Sequence, residues 1–291
     1  MSKDSPNAYE ELQMGERIDE IGFGGLRLIQ EPSEFCFGVD AVILADLVSR
    51  EAASQKDYGP IADLGTGTGV IPLILARKTQ AGEIWGLEVQ RNSAQRALRN
   101  VKLNGLENRI TIVNAGVEDI AQGIKLKDET SRDSKELHCG VKRQDQEIDI
   151  ELILRLQEQA GTFHGVCCNP PYTESGRGMP VTNEAKHIAR HETTGSLEDF
   201  VECASKLLRD KGDFFMVHRP SRLVDIFEVC RKHKLEPKEI RLIVPRIGET
   251  PNILLLHCVK NGGKELKWQK TLPIYKKNQI FSDEILAIYG K

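Results

Sequence analysis

A glycine-rich turn is the first group of residues in this sequence whose types and spacing suit chemistry. Asp63 is followed by Gly65, Gly67 and Gly69, after a short apolar run that predicts a strand and before a stretch that predicts a helix. Glycines at this spacing let the backbone turn sharply and approach a ligand closely. A dinucleotide fingerprint would need glycine at position 70, where Val70 stands, and the lysine of a phosphate-binding P-loop is missing. The turn therefore predicts a site for a ligand that carries little phosphate.

An acid follows this turn at an informative distance. Glu88 ends the next predicted strand, and a carboxylate at that place can accept hydrogen bonds from both hydroxyls of a ribose. Taken alone, Glu88 could equally be a surface acid at a strand end. Together with the glycine turn in a strand–helix–strand context, it favours a nucleoside-containing ligand.

A proline-rich tetrapeptide, Asn169-Pro170-Pro171-Tyr172, comes directly after the fourth predicted strand. Two prolines cannot continue a strand, so the chain must leave the sheet here in a stiff turn. The carboxyl ends of strands are where open α/β sheets bind ligands. The tetrapeptide is therefore either a structural turn or part of a reaction site.

The elements that must position these residues alternate along the chain. Apolar periodicity predicts strands at 61–64, 83–88, 109–114, 163–169, 213–218, 239–244 and 253–259, and helices at 39–48, 70–79, about 94–103, 148–156, 197–208 and 221–234. Ala94, Ala97, Leu98 and Val101 are expected on the buried face of the third helix. Strands alternating with helices predict a doubly wound α/β fold with a seven-stranded, mostly parallel sheet and helices on both faces.

The glycine turn and Glu88 resemble the pattern of class I S-adenosylmethionine-dependent methyltransferases, which have a Rossmann-like fold. By that resemblance, Asp63 and the turn from Gly65 to Gly69 would hold the methionine end of S-adenosyl-L-methionine, and Glu88 its ribose. Such families commonly place a further acid after the third strand, for the adenine amine. Gly116 stands at that position here, so Val117 with Glu118, or else Asp119, is expected to make this contact.

In that context the tetrapeptide predicts methyl transfer to a planar nitrogen, whose lone pair is delocalised into a π-system. The Asn169 side-chain oxygen and the Pro170 carbonyl can accept the two N–H bonds of an amine and aim its lone pair. Tyr172 can stack on a planar substrate, a contact worth roughly 1–3 kcal/mol for a base. Positioning carries most of the rate in such a site. We therefore assign Asn169, Pro170, Pro171 and Tyr172 to catalysis.

The N-terminal stretches 24–32 and 35–45 resemble the bacterial valine-tRNA adenine-37 N6-methyltransferase family, as do 188–192, 217–222 and 235–238. The resemblance covers roughly residues 16–120 and 161–290. It implies that Phe37, Val39 and Asp40 lie beside the cofactor, and that the substrate is adenine N6 in tRNA. Two alternatives remain, because glutamine-N5 methyltransferases acting on release factors share the tetrapeptide and guanine-N2 RNA enzymes carry related ones.

Three regions are predicted: an N-terminal segment 1–58, a methyltransferase domain 59–260 and a basic C-terminal tail 261–291. Residues 121–160 hold 16 charged residues, and 122–146 read as a charged surface insertion that buries little.

Composition bounds the partners. The net charge is −3, yet residues 211–291 carry 16 Lys and Arg against 9 Asp and Glu. That excess favours a polyanionic partner such as tRNA. The cations expected to meet its phosphates are Arg219, Arg222, Arg231, Lys232, Lys276 and Lys277.

Other partner classes are not expected. The seven scattered cysteines favour reduced thiols and a cytoplasmic location. No membrane segment is predicted, and His187 with His191 lack the further ligands that a metal site needs. A monomer is expected.

Overall fold

The computed structural model describes residues 12–33, 36–122, 149–170 and 195–291. Outside these residues lie most of the predicted charged insertion, His187 and His191, and two members of the tetrapeptide, Pro171 and Tyr172. Their predicted roles stay predictions.

Eleven strands and eight α-helices are formed by the described residues. The strands are β1 (Arg17–Gly22), β2 (Leu26–Gln30), β3 (Ile61–Leu64), β4 (Ile84–Glu88), β5 (Ile110–Asn114), β6 (Phe163–Cys168), β7 (Leu208–His218), β8 (Leu235–Val244), β9 (Ile253–Lys260), β10 (Lys267–Trp268) and β11 (Leu272–Pro273). The helices are α1 (Val39–Ser54), α2 (Val70–Lys78), α3 (Arg91–Leu103), α4 (Val117–Gln122), α5 (Ile150–Glu158), α6 (Leu197–Leu207), α7 (Leu223–Lys232) and α8 (Asp283–Ile288).

The main sheet has the strand order β10-β8-β9-β7-β6-β3-β4-β5, with β11 also pairing β8. Only β9 runs antiparallel to its neighbours, so the sheet is mostly parallel as predicted. The order reverses between β3 and β6, and ligands of doubly wound sheets bind at such a switch point. Nine strands stand where seven were predicted, because β10 and β11 are two-residue strands too short to leave a periodic signal.

Two apolar layers cover the sheet, one on each face. Neighbouring strand residues point to opposite faces. Cys167 accordingly packs in the layer that contains α1 and α2, and Cys168 in the layer that contains α6. Burial raises the pKa of both thiols well above its usual value, so both are neutral apolar residues, as the sequence predicted.

The N-terminal region is more structured than periodicity predicted. Strands β1 and β2 form an antiparallel hairpin that docks on α3 through Asn100 and Asn104. The Asn100 amide bonds the N–H and C=O of Ile29, and the Asn104 amide does the same for Arg27. Two asparagines one helical turn apart thus replace the missing neighbour of an edge strand.

An ion-pair cluster fastens the same hairpin. The side chain of Glu16 is 1% exposed and contacts Arg96 and Arg99 on α3, while Glu31, at the same open end of the hairpin, also contacts Arg96. The hydrogen bond from Arg99 lowers the pKa of Glu16 to about 2. The cluster explains why α3 carries arginines on its hairpin side. Leu98, which was predicted on the buried face of α3, is half exposed, because Ala94, Ala97 and Val101 form that face.

The C-terminal segment is not only a basic tail. Leu272 and Ile274 on and after β11, and Ile285 and Ile288 on α8, are buried in the same apolar layer as α1 and α2. Ser282 caps α8 by accepting a hydrogen bond from the N–H of Ile285. Residues 272–288 therefore complete one face of the sheet.

Candidate active site

The glycine turn has the backbone that its sequence requires. Gly65, Gly67 and Gly69 have φ angles of +75°, +58° and +83°, in the left-handed region that disfavours side chains. A Cβ on Gly69 would lie 3.3 Å from the Cβ of Ala97, so this glycine also lets α3 pack against the start of α2. A Cβ on Gly67 would meet nothing within 4 Å, so the Cα of this glycine borders open space.

Glu88 ties the end of β4 to this turn. Its carboxylate accepts hydrogen bonds from the N–H of Gly67 at 2.8 Å and from the N–H of Gln90 at 2.8 Å. The residue is buried, and that burial raises the pKa of Glu88 although the backbone hydrogen bonds oppose the rise. Each carboxylate oxygen accepts more than one hydrogen bond. The side chain therefore shapes the turn and keeps acceptor capacity for a ligand.

Asp63 lies fully buried on β3. Desolvation is the main reason why the pKa of Asp63 rises from 3.8 to about 7. The thiol of Cys167 donates to its Oδ1 at 3.6 Å, whereas its buried Oδ2 has no well-aligned partner among the described residues. A buried carboxylate with a spare oxygen is unfavourable unless a ligand donor completes it. Perturbed acids of this kind mark functional sites.

Asn169 and Pro170 follow β6 directly. Because β6 pairs in parallel with β3, and β3 with β4, Asn169 lies at the same carboxyl edge of the sheet as Asp63 and Glu88. The Nδ2 of Asn169 donates to Oδ2 of Asp40, at the start of α1, over 3.2 Å. Segment 36–40 thus reaches this edge, where Phe37 packs partly buried against the apolar layer.

Glu118 and Asp119, the two acids considered for the adenine contact, have different surroundings in the turn after β5. Oδ2 of Asp119 accepts a hydrogen bond from the N–H of Gly116 at 2.7 Å and therefore caps the start of α4. Val117 is buried beside it, and Glu118 lies at the first turn of the same helix. Of the two acids, Glu118 is the one whose role the cap does not account for.

These residues fit S-adenosyl-L-methionine. The turn leaves open space at Gly67, Asp63 offers a buried acceptor, and Glu88 offers acceptors for hydroxyls. An ammonium group would suit Asp63. The turn has no lysine, which a P-loop needs to bind a triphosphate. The chemistry of the donor set therefore agrees with a ligand that is cationic at one end and a nucleoside at the other.

The predicted cations divide between the two edges of the sheet. Arg219 and Arg222 follow the carboxyl end of β7, and Lys276 and Lys277 follow β11, which runs parallel to β8. Helix α7 runs back from this edge, so Arg231 and Lys232 at its end lie at the opposite edge, where they pair with Glu236 and Glu198. These last two are therefore not neighbours of Asn169.

Two residues that the sequence interpretation missed also contribute. Arg246 follows the carboxyl end of β8 and adds a cation to the edge that holds Arg219. Asn100 donates from Nδ2 to the carbonyl of Thr68 at 2.9 Å and so joins the glycine turn to the hairpin. The only sequence signal for this link is the four-residue spacing of Asn100 and Asn104, which predicts a shared helical face but no partner.

His218 ends β7 at the same edge and is buried. Burial and the nearby Arg222 lower the pKa of His218 to about 4, and its Nδ1 accepts the N–H of Arg219 at 2.8 Å. This imidazole is therefore neutral at physiological pH.

Within the described ranges, no helix has the length and apolar character to cross a membrane. The same residues contain no group of three His, Cys, Asp or Glu side chains arranged to hold a metal ion.

No protein-family model matches the chain. Its sequence is similar to curated proteins named tRNA1(Val) (adenine(37)-N6)-methyltransferase. The protein of that name from Porphyromonas gingivalis is 26% identical over 73% of this chain and 67% of its own. The one from Haemophilus influenzae is 23% identical over 91% of this chain and 94% of its own. That from Shewanella baltica is 22% identical over 76% and 75%.

Solved structures agree on the fold. A predicted O-methyltransferase from Agrobacterium tumefaciens superposes with a TM-score of 0.59, at 20% identity over 86% of this chain and 95% of that one. A methyltransferase subunit of a type I restriction-modification system from Streptococcus thermophilus gives a TM-score of 0.53, at 16% identity over 88% and 53%. The chain thus has the fold of the class I S-adenosylmethionine-dependent methyltransferases, and its sequence resembles the bacterial tRNA1(Val) (adenine(37)-N6)-methyltransferases along most of its length.

Proposed function

We propose that this enzyme transfers a methyl group from S-adenosyl-L-methionine to the exocyclic N6 of an adenine in RNA, with adenine 37 of a valine tRNA as the substrate. The observation that carries the proposal is the position of Asn169, which leaves β6 at the switch point beside the glycine turn and Glu88. The names of the sequence relatives supply the adenine and the tRNA.

In this proposal each cofactor-side residue has one task. Asp63 accepts from the ammonium of the methionine end, the turn from Gly65 to Gly69 accommodates the chain, and Glu88 accepts from the ribose hydroxyls. Val117 packs against the adenine and Glu118 accepts from its amine. Phe37 closes the site from the N-terminal segment. The bound cofactor supplies a methyl group on a sulfonium centre.

On the substrate side, the Oδ1 of Asn169 and the carbonyl of Pro170 accept the two N–H bonds of the target amine. These contacts direct the nitrogen lone pair away from the ring and toward the methyl group. The Asp40 carboxylate beside Asn169 accepts hydrogen bonds from the Asn169 Nδ2 and from the N–H of Ala41, and the neutral His218 does not supply a base. Positioning by hydrogen bonds is therefore the main contribution of the protein. Pro171 stiffens the turn and Tyr172 stacks on the base.

An adenine inside an anticodon loop must be splayed out of its stack before Asn169 can reach it. The cost is a few kcal/mol, and phosphate contacts offset it. Arg219, Arg222, Arg246, Lys276 and Lys277 lie along the edge where the splayed nucleotide would enter. We infer that this row of five, called the edge cations below, contacts the RNA backbone.

The experiment is methylation of total tRNA with labelled cofactor, followed by nucleoside analysis. We expect labelled N6-methyladenosine from the wild type and none from Asn169→Ala. Label in a release factor, or in N2-methylguanosine, would leave the fold assignment intact and contradict the proposed substrate.

A further inference from the structure

The inference concerns the contact between Asp40 and Asn169, which are 129 residues apart in sequence. Oδ2 of Asp40 accepts from Nδ2 of Asn169 at 3.2 Å, and its Oδ1 accepts from the N–H of Ala41 at 3.0 Å. Both side chains are partly buried at the carboxyl edge. The carboxylate is therefore fixed by its own helix on one side and faces the amide on the other.

A carboxamide has one accepting end and one donating end, and the two have nearly the same shape. An ionised carboxylate only accepts hydrogen bonds, so it pairs with the Nδ2 end of Asn169 and disfavours the flipped amide. The amide plane then carries Oδ1 away from Asp40. An amine substrate presents N–H donors, which Oδ1 can accept and a flipped Nδ2 cannot.

The surroundings of Asp40 are built to hold this carboxylate. A Cβ on Gly38 would lie only 2.5 Å from Oδ1 of Asp40, so only glycine leaves room for the side chain to fold back over the helix start. Val42 and Ile43, close after Asp40 in α1, are buried and hold the start of the helix against the apolar layer. Just before it, the N–H of Phe37 donates to Oε1 of Gln30 at 3.2 Å.

We propose that Asp40 is a positioning residue that sets the orientation of the Asn169 amide, so that Oδ1 faces the reacting amine. This inference rests on the proposed function, in which Asn169 contacts that amine. It assigns Asp40 a task on the substrate side of the site, whereas the family resemblance places it beside the cofactor.

The kinetic test compares Asp40→Ala and Asp40→Asn with the wild type on tRNA. Asparagine keeps the size of the side chain but can donate as well as accept, so it no longer specifies the orientation. Both variants should lower kcat about tenfold, because Asn169 is still present but its amide is no longer held in one orientation. The KM for tRNA and the Kd for S-adenosylhomocysteine should change less than twofold. Asp149→Ala, which removes another aspartate at a helix start, is the matched control.

A second variant reaches the same contact without altering either partner. Gly38 has backbone angles of −109° and 176°, which alanine adopts freely. Gly38→Ala should therefore displace the flexible Asp40 carboxylate with little loss of melting temperature and lower kcat like Asp40→Ala. Gly82→Ala, at a position where a Cβ meets nothing within 4 Å, is its control.

A spectroscopic readout decides the contact without any substrate. In protein labelled with ¹⁵N-asparagine, the Asn169 side-chain amide is identified as the signal lost in Asn169→Ala. Asp40→Ala and Gly38→Ala should shift that signal and speed its exchange with water, and Asp149→Ala should not.

An unchanged Asn169 amide signal in Asp40→Ala and Gly38→Ala overturns the inference. So does a loss of S-adenosylhomocysteine affinity in Asp40→Ala as large as the loss of kcat, which would make Asp40 a cofactor ligand. If the wild type methylates no RNA, the proposed function fails, and the amide signal still decides whether Asp40 orients Asn169.

Discussion

The carboxyl edge of the sheet has two halves, which differ in where their charged groups lie. We call the ends of β3 and β4 the cofactor half, and the ends of β7, β8 and β11 the substrate half. On the cofactor half, Asp63 and Glu88 are buried, and burial raises the pKa of each. On the substrate half, the edge cations stand near the surface, at the ends of β7, β8 and β11. Short-range, desolvated contacts select one small ligand, whereas exposed cations attract a large polyanion with little dependence on its sequence. Asn169 follows β6, which lies between β7 and β3 in the sheet, and therefore stands between the two halves.

The largest expected effect comes from the residue between the halves. Asn169→Ala should lower kcat at least about a hundredfold, the order found when a positioned transition-state hydrogen bond is lost. Affinity for S-adenosylhomocysteine, measured by calorimetry, should stay within about twofold. Asn261→Ala, which removes an exposed asparagine bonded to Asp210, is the control. Near-normal turnover in Asn169→Ala would mean that the tetrapeptide is only a structural turn.

On the cofactor half, Glu88→Ala should weaken binding of S-adenosylhomocysteine by roughly 30-fold or more. Two ribose hydrogen bonds are lost, and the N–H of Gly67 loses its acceptor so that the turn relaxes. Glu83 precedes the first residue of β4 at the opposite edge, and Glu83→Ala should bind the ligand normally. Equal losses in the two variants would show that the effect is general instability. Tight binding of NAD would contradict the cofactor assignment.

On the substrate half, reversing two edge cations should matter more than reversing two distant ones. Arg219→Glu with Arg222→Glu should raise the KM for tRNA about tenfold, with little change in kcat. It should also flatten the decline of affinity with salt, because fewer counterions are released. Arg231→Glu with Lys232→Glu changes the same charge and breaks ion pairs, as Arg222→Glu breaks its pair with Asp225, yet should leave the KM nearly unchanged. Equal effects from the two pairs would show that overall charge, not the edge, attracts RNA.

The smallest expected effect is a pH dependence on the cofactor half. Since the pKa of Asp63 is raised to about 7, its carboxylate becomes available to an ammonium only as the pH rises through that value. Affinity for S-adenosylhomocysteine should therefore grow several-fold between pH 6 and pH 8. Asp63→Asn should bind more weakly and lack this part of the pH dependence, which also separates it from titration of the ligand.

The same raised pKa affects stability with the opposite sign. The folded chain holds the Asp63 proton to higher pH than the unfolded chain, so the free protein loses stability as the pH rises from 3.8 to about 7. Asp63→Asn removes the buried charge and should raise the melting temperature of the free protein at pH 8. A lower melting temperature would mean that the carboxylate is needed for folding.

Local signals were sufficient for the central elements. Helices α2 and α6 begin at Val70 and Leu197, both as predicted. A left-handed glycine precedes α2, and a capping box of Ser196 and Asp199 starts α6. These features depend on residues a few positions apart, so composition and spacing specify them. The same holds for the glycine turn and for the strand end that presents Asn169. Helix α1 was predicted too short, since its apolar pattern weakens after residue 48 while its buried contacts continue to Ala52.

Contacts between distant segments were decided only by the tertiary structure. Nothing local indicates that Asn100 and Asn104 pair with a hairpin 71 to 77 residues earlier, or that Asp40 meets Asn169. The sequence predicted six cations for RNA, and only strand order and helix direction separate Arg231 and Lys232 from the others. The sequence by itself determined the glycine turn and the strand end that presents Asn169, because those lie within short stretches of chain. The packing of one sheet determined which side chains face them, because burial is shared by residues far apart in the chain.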